Sequence, residues 1–216
     1  MAGARWVCLD VGETLIDETR VWSTWADVLG ITRLTFMAAL GAVIARREPH
    51  QAVFDLVGRS DWQEYSEEFQ SAYGGFRSDD LYPDAVESIH VLRATGYHVA
   101  VLANQPAQRT LELRAVGIEA DVMAMSEELG VHKPSTDFYR RALELMEADP
   151  SDVAYVGDRL DNDVRPAAGI GMRPVWVRRG PWALIERDAP PPGTVIVSSL
   201  VELIERIFAP DGRFWP

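Results

Sequence analysis

Residues 5–15 read Arg-Trp-Val-Cys-Leu-Asp-Val-Gly-Glu-Thr-Leu, and the fold turns on this stretch. Trp6, Val7, Cys8 and Leu9 form a short apolar run of strand-favouring residues that stops at Asp10. Gly12 follows, where the chain can turn without a side-chain clash. Such a run ahead of a glycine turn predicts a buried central strand of a parallel sheet, apolar on both faces. Open α/β sheets gather their ligands at the C-terminal ends of the strands. Asp10 therefore stands where chemistry is expected, although Asp also starts turns that have no chemical role.

Moving outward, Trp22, Trp25, Ala26 and Leu29 recur at three- and four-residue spacing, and Gly30 ends that helix. Further helices are predicted over about 32–47, from Pro49 through Val57, and from Asp61 to Gly74-Gly75. A crossover between parallel strands needs only one helix, so residues 17–76 read as a helical insertion. Beyond Tyr82-Pro83 the pattern alternates. Strands are predicted at 97–102, 121–125, 153–156, 174–177 and 194–197, separated by helices at 84–95, 107–116, 134–146, before Gly171, and at 200–208. Residues 126–134 and 181–192 read as loops, the second for its proline run. The expected fold is α/β: a Rossmann-like parallel sheet with helices on both faces, from residues 1–16 and 77–216, plus a small all-helical unit over 17–76.

Composition narrows the partners. Lys and Arg number 21 against 33 Asp and Glu, a net charge of −12, which is the opposite of a nucleic-acid footprint and disfavours anionic membrane. An anionic small molecule would need local Lys, Arg or metal to overcome that field. Cys8 is the only cysteine, so neither an internal disulfide nor a cysteine metal site can form. No run of about 18 apolar residues and no N-terminal apolar leader is present, so a soluble, cytoplasmic protein is expected.

Four segments lie at or just after the predicted strands: Asp10 to Thr14, Ala103-Asn104, His132-Lys133-Pro134, and Gly157-Asp158 continuing to Asp163. Clustered carboxylates repel one another and hold protons unless a hard cation such as Mg²⁺ shares their oxygens. Lys133 can balance what charge remains, and Asp10 is the candidate nucleophile.

These four segments, in this order, resemble the haloacid-dehalogenase-like hydrolase superfamily. The resemblance implies that Asp10 is the nucleophile, Thr14 its supporting hydroxyl, and Lys133, in Gly-Val-His-Lys-Pro, the site lysine. Val-Gly-Asp-Arg-Leu-Asp-Asn-Asp, ending at Asp163, resembles the acidic segment. It implies Mg²⁺ held by Asp10, the Gly12 carbonyl and Asp158, with Asp163 in support. It further implies that the insertion is a cap over the site and that the substrate is a small phosphorylated or otherwise anionic molecule.

Two positions depart from the pattern. Family phosphatases carry an acid/base Asp where this chain has Gly12, and Ser or Thr where it has Ala103, which leaves Asn104 and backbone N–H groups for the phosphate. Glu13 is adjacent and longer, but its offset by one residue changes its direction. If the missing carboxylate is the only defect, Gly12→Asp is expected to raise phosphatase activity. A Mg²⁺-dependent phosphatase, a 2-haloacid dehalogenase, and a catalytically weak protein that binds a ligand or partner all remain open. Bland roles also stay open: helix capping for Thr14, Asp158 and Asp163, insertion core for Trp22 and Trp25, and a solvated face for Arg46, Arg47, His50 and Arg59.

Overall fold

The computed structural model describes residues 4–210 and 212–215, so positions 1–3, 211 and 216 of the expected sheet unit lie outside the described residues. Strand β1 (Trp6–Leu9) is followed by helices α1 (Thr19–Val28), α2 (Arg33–Ala45), α3 (Ala52–Leu56) and α4 (Ser66–Tyr73). Then come α5 (Ala85–Ala94), β2 (His98–Ala103), α6 (Arg109–Ala115), β3 (Val122–Met125), α7 (Ser126–Leu129) and α8 (Thr136–Met146). The chain closes with β4 (Val153–Gly157), a π-helical turn (Leu160–Val164), α9 (Arg165–Gly169), β5 (Arg173–Val177), α10 (Gly180–Ile185), β6 (Val195–Val197) and α11 (Leu200–Ile207).

The six strands form one parallel sheet in the order β3-β2-β1-β4-β5-β6. As expected, β1 is central, with Leu9 beside Val101 on one side and Val156 on the other. Side chains of a strand alternate between faces. Val7 and Leu9 join α5 and α11 in one core, while Trp6 and Cys8 join Phe138, Tyr139 and Ala142 of α8 in the other. Every residue of β1 is buried, which explains why its sequence is an unbroken apolar run. Burial pushes the Cys8 thiol up, consistent with a small core hydrophobe.

Two predicted loops are helical. Residues 126–129 form α7, whose first turn is closed by Glu128 accepting the Met125 N–H at 2.8 Å. Residues 180–185 form α10, with Pro181 in its first turn, where a missing N–H costs nothing. Trp182 and Ile185 of α10 pack against the core of the insertion, around Trp22, Trp25, Phe36, Phe54 and Phe69. No single described helix is long and apolar enough to cross a membrane.

The segments before and after the helical stretch α1–α4 pair with each other. Ile16 bridges Leu81 antiparallel, the Asp17 N–H donates to Asp80 O at 2.8 Å, and the Tyr82 N–H donates to Leu15 O at 2.9 Å.

Candidate active site

The C-terminal ends of β1, β2 and β4 place Asp10, Asn104 and Asp158 around one hollow, with Lys133 arriving on the loop before α8. The Asp10 N–H donates to Val156 O at 2.9 Å, so the sheet ladder itself fixes where the carboxylate starts. Lys133 Nζ lies 2.7 Å from Asp10 Oδ1 and 2.6 Å from Asp163 Oδ1. Burial alone would lower the lysine, but the two carboxylates outweigh it and hold its pKa above the usual value. Oxygens of Asp10, Asp158 and Asp163 all lie within 4.8 Å of one another.

Three buried carboxylates against one ammonium leave excess negative charge. Burial pushes Asp163 up to about 6, with Lys133 opposing and Asp10 adding to the rise. Burial raises Asp158 well above the carboxylate range, and the charges of Asp163 and Asp10 raise it further. Its Oδ2 is buried and finds no hydrogen-bond partner among the described residues. A desolvated carboxylate oxygen without a donor, next to two other acidic oxygens, fits a hard divalent cation. The second oxygen of Asp163 accepts the Arg159 N–H at 3.1 Å, and Trp176 Nε1 donates to Asp158 O at 2.7 Å, so both carboxylates hang from fixed backbone.

The other sequence-derived residues divide. Thr14 is fully buried, and its Oγ1 finds no partner among the described residues. It does not cap α1, which begins only at Thr19. Asn104 lines the hollow, yet its Oδ1 accepts the Lys133 N–H at 2.7 Å and its Nδ2 donates to Lys133 O at 2.9 Å. Most of that amide is therefore spent on holding the lysine loop. Ala103 is buried at the end of β2 and offers no hydroxyl.

Glu13 turns aside. It sits at φ +52°, its Oε1 accepts the Glu18 N–H at 3.0 Å, and its Oε2 accepts the Tyr82 hydroxyl at 2.5 Å. Gly180 leaves room for this, because a Cβ there would lie 2.2 Å from Glu13 Oε2.

Glu18, Arg109, Arg159 and Trp182 are not among the residues that the sequence marks for the site. All four line the same cavity of about 390 Å³ as Asp10, Lys133 and Asp158, and so do Trp22, Trp25, Phe69 and Phe76. Burial, reinforced by the charge of Glu13, pushes Glu18 up to about 8. His50 is a wall of this cavity and packs edge-on to Trp22, so it is no solvated helix face. Arg47 is mostly exposed, as expected, but pairs with Asp188 at 2.6 Å. Arg159 stood in plain view within the acidic segment. Glu18 carried no signal, since its place depends on how residues 13–18 turn back.

The parallel sheet thus carries, at one edge, a buried cluster of three carboxylates and a lysine. The chain belongs to the haloacid dehalogenase-like hydrolases, whose family model matches residues 4–171. It is 32% identical to a glyceraldehyde 3-phosphate phosphatase of Methanocaldococcus jannaschii over 57% of the chain and 55% of that protein. It is 35% identical to a phosphoserine phosphatase of Thermus thermophilus over 46% of the chain and 41% of that protein. An (S)-2-haloacid dehalogenase 4A of Burkholderia cepacia is more distant, at 26% over 48% of the chain and 46% of its own length. The chain thus spans about half the length of the curated relatives it matches. Among solved structures, the magnesium-bound HAD-hydrolase YfnB of Bacillus subtilis superposes with a TM-score of 0.73 at 16% identity, covering 96% of this chain and 100% of that one.

Proposed function

We propose that this chain is a Mg²⁺-dependent phosphatase that acts on a small phosphorylated metabolite through an aspartyl-phosphate at Asp10. One observation carries the reading: Lys133 bridges Asp10 and Asp163 beside the unpartnered, buried oxygen of Asp158. Asp10, the Gly12 carbonyl and Asp158 would hold the ion, with Asp163 behind them, and the bound ion supplies the positive charge that this site lacks.

Asp10 attacks phosphorus, the ester oxygen leaves, and water then cleaves the aspartyl-phosphate, so one hard displacement becomes two easier ones. Lys133 orients Asp10 and offsets charge on the transferring group. Asn104 positions Lys133, and Thr14 supports the Asp10 turn. The helical insertion, residues 17–76, serves as the cap and encloses the substrate against the unit formed by 1–16 and 77–216. The named activities of the phosphatase relatives support a small phosphate ester. The rings of Trp22, Trp25, Phe69, Phe76 and Trp182 support one whose organic part carries apolar surface. A net charge of −12 also fits a small-molecule substrate better than nucleic acid.

The test is a panel of phosphate esters and 2-haloacids, assayed with and without Mg²⁺, alongside Asp10→Asn and Asp158→Ala. Phosphate release should need Mg²⁺ and vanish in Asp10→Asn. Asp158→Ala should lose Mg²⁺ affinity by at least about tenfold in calorimetry, since even losing a group that only supports the ligands costs about 10–100-fold. Metal-independent halide release would establish the dehalogenase reading instead. Tight binding of phosphate esters without turnover would establish a binding protein.

A further inference from the structure

The phosphatase reading leaves two proton transfers without an agent. Gly12 has no side chain, and both oxygens of Glu13 are committed to the Glu18 N–H and the Tyr82 hydroxyl. The space beside Gly12 is nevertheless occupied. A Cβ built on Gly12 would lie 2.5 Å from Glu18 Oε1 and 3.1 Å from its carboxyl carbon. The Glu18 carboxyl group thus fills the volume into which an Asp side chain at position 12 would start to grow.

Its placement is determined from both ends. The backbone N–H of Glu18 is held by Glu13 at 3.0 Å, and its Oε2 accepts Trp22 Nε1 at 3.2 Å. That leaves Oε1 as the oxygen nearest Gly12, in the cavity that Asp10, Lys133 and Asp158 also line. Glycine at position 12 and glutamate at position 18 are therefore one feature, since any side chain at 12 would evict this carboxyl group.

Building on the phosphatase reading, we infer that Glu18 is the catalytic acid and base of this enzyme, reaching from the start of the insertion into the place left open by Gly12. In the first step Asp10 forms a bond to phosphorus, the phosphorus–ester oxygen bond breaks, and the departing oxygen takes the Glu18 proton. In the second, Glu18 takes a proton from water as the water oxygen bonds phosphorus and the Asp10–phosphorus bond breaks. Asp10 returns as carboxylate and Glu18 as carboxylic acid. The balance is phosphate ester plus water to alcohol plus phosphate, with no further reactant.

The experiment compares wild type, Glu18→Gln, Gly12→Asp and the Gly12→Asp/Glu18→Ala double variant on an alkyl phosphate and on p-nitrophenyl phosphate. Glu18→Gln keeps the shape and an acceptor for Trp22. Its kcat/KM for the alkyl phosphate should fall on the order of 10²-fold or more, the usual size of acid–base help. It should fall far less for p-nitrophenyl phosphate, whose leaving group departs without a proton. Mg²⁺ affinity should not change. Gly12→Asp alone should give no large gain, because its side chain displaces Glu18. The double variant should recover at least about tenfold over Glu18→Gln on the alkyl phosphate, as general catalysis is restored from the other position.

Wild-type kcat/KM in Glu18→Gln would overturn the role. So would equal losses on both esters with no recovery in the double variant, which would mark Glu18 as a positioning residue. Wild type without Mg²⁺-dependent turnover on either ester would overturn the phosphatase reading as well, whereas these other results leave it intact.

Discussion

At Gly157, the last residue of β4, backbone and site are packed so closely that one methyl group decides the geometry. A Cβ there would lie 2.4 Å from Asp163 Cγ and 2.5 Å from its Cβ. Asp163 cannot swing clear, being fully buried and tied to Lys133 at 2.6 Å and to the Arg159 N–H at 3.1 Å. Gly157→Ala should therefore push Asp163 off Lys133, cost about 1–3 kcal/mol as an overpacked core does, and lower turnover at least about tenfold. Gly169→Ala is the control. Nothing lies within 4 Å of its Cβ, and it should hold or raise stability by about 0.5–1 kcal/mol, both read by urea unfolding. Asp10 and Asp158 were legible in the sequence because each follows directly on a strand, where the apolar run stops, whereas Lys133 and Asp163, eight and six residues past β3 and β4, were legible only through the order of the motifs. Glu18 was not, because its position follows from a turn in which Glu13 takes φ +52°, and no spacing encodes that. The commitment of Asn104 to the Lys133 backbone was hidden for the same reason, since it joins two loops 29 residues apart.

Among the elements, the longer helices and the central place of β1 were legible, while the short helices were not. The four residues of α7 are too few to show a period, and their first turn is closed by a Glu128 side chain instead. The prolines around α10 suggested a loop, yet Pro181 starts a helix and Trp182 and Ile185 face the insertion. Side chains at a distance also tie the helices α1 and α4 to the segment that follows them. Arg20 of α1 donates Nε to Asp80 Oδ1 at 2.7 Å and Nη2 to Asp80 Oδ2 at 2.5 Å. It also donates to the carbonyls of Tyr73 at 2.7 Å and Gly75 at 2.5 Å, with its guanidinium 4.0 Å from the Tyr73 ring. One planar fork thus ties the first helix of the insertion to its last and to the return segment. Asp80 is only 4% exposed, so Arg20→Ala would strand a buried carboxylate with little more than the Arg77 N–H at 2.8 Å. Breaking a buried pair from one side costs about 3 kcal/mol or more. Urea unfolding of Arg20→Ala should show a loss of that size, and Arg20→Lys should recover only part, since an ammonium cannot make the four-way contact. An unchanged midpoint would mean that the remaining ties, the Ile16–Leu81 bridge and the packing of α10 among them, hold these segments without the Arg20 fork.

For the whole molecule, the seam between insertion and sheet unit carries a titratable group that ties stability to pH. His50, between α2 and α3, meets the Trp22 ring at 5.6 Å and lines the cavity opposite Arg159 of the acidic segment. Burial, and then the Arg159 charge, lowers its pKa from 6.5 to about 4. The direction determines the window. Above pH 6.5 the imidazole is neutral in both folded and unfolded chains, and its full contribution to stability is present. As pH falls from about 6.5 to about 4, the unfolded chain takes up a proton that the folded one refuses, so stability drops. Below about 4 both forms are protonated and nothing further is lost through this group. A shift of this size corresponds to roughly 3 kcal/mol in all, at about 1.4 kcal/mol per pH unit, of which roughly 2–3 falls between pH 6.5 and 4 because the slope is only partial at either end. Carboxylates titrate nearby and add slopes of their own, so the comparison must be with His50→Gln, which keeps a polar side chain but cannot ionise. Unfolding free energies of both proteins, measured by urea at half-unit steps from pH 7.5 to 4, should separate His50 from the rest. The wild type should lose about 2 kcal/mol more than the variant between pH 6.5 and 4, and the two should run parallel above 6.5. Parallel curves throughout would mean that water reaches His50 at this seam, and that the insertion does not hold the cavity closed.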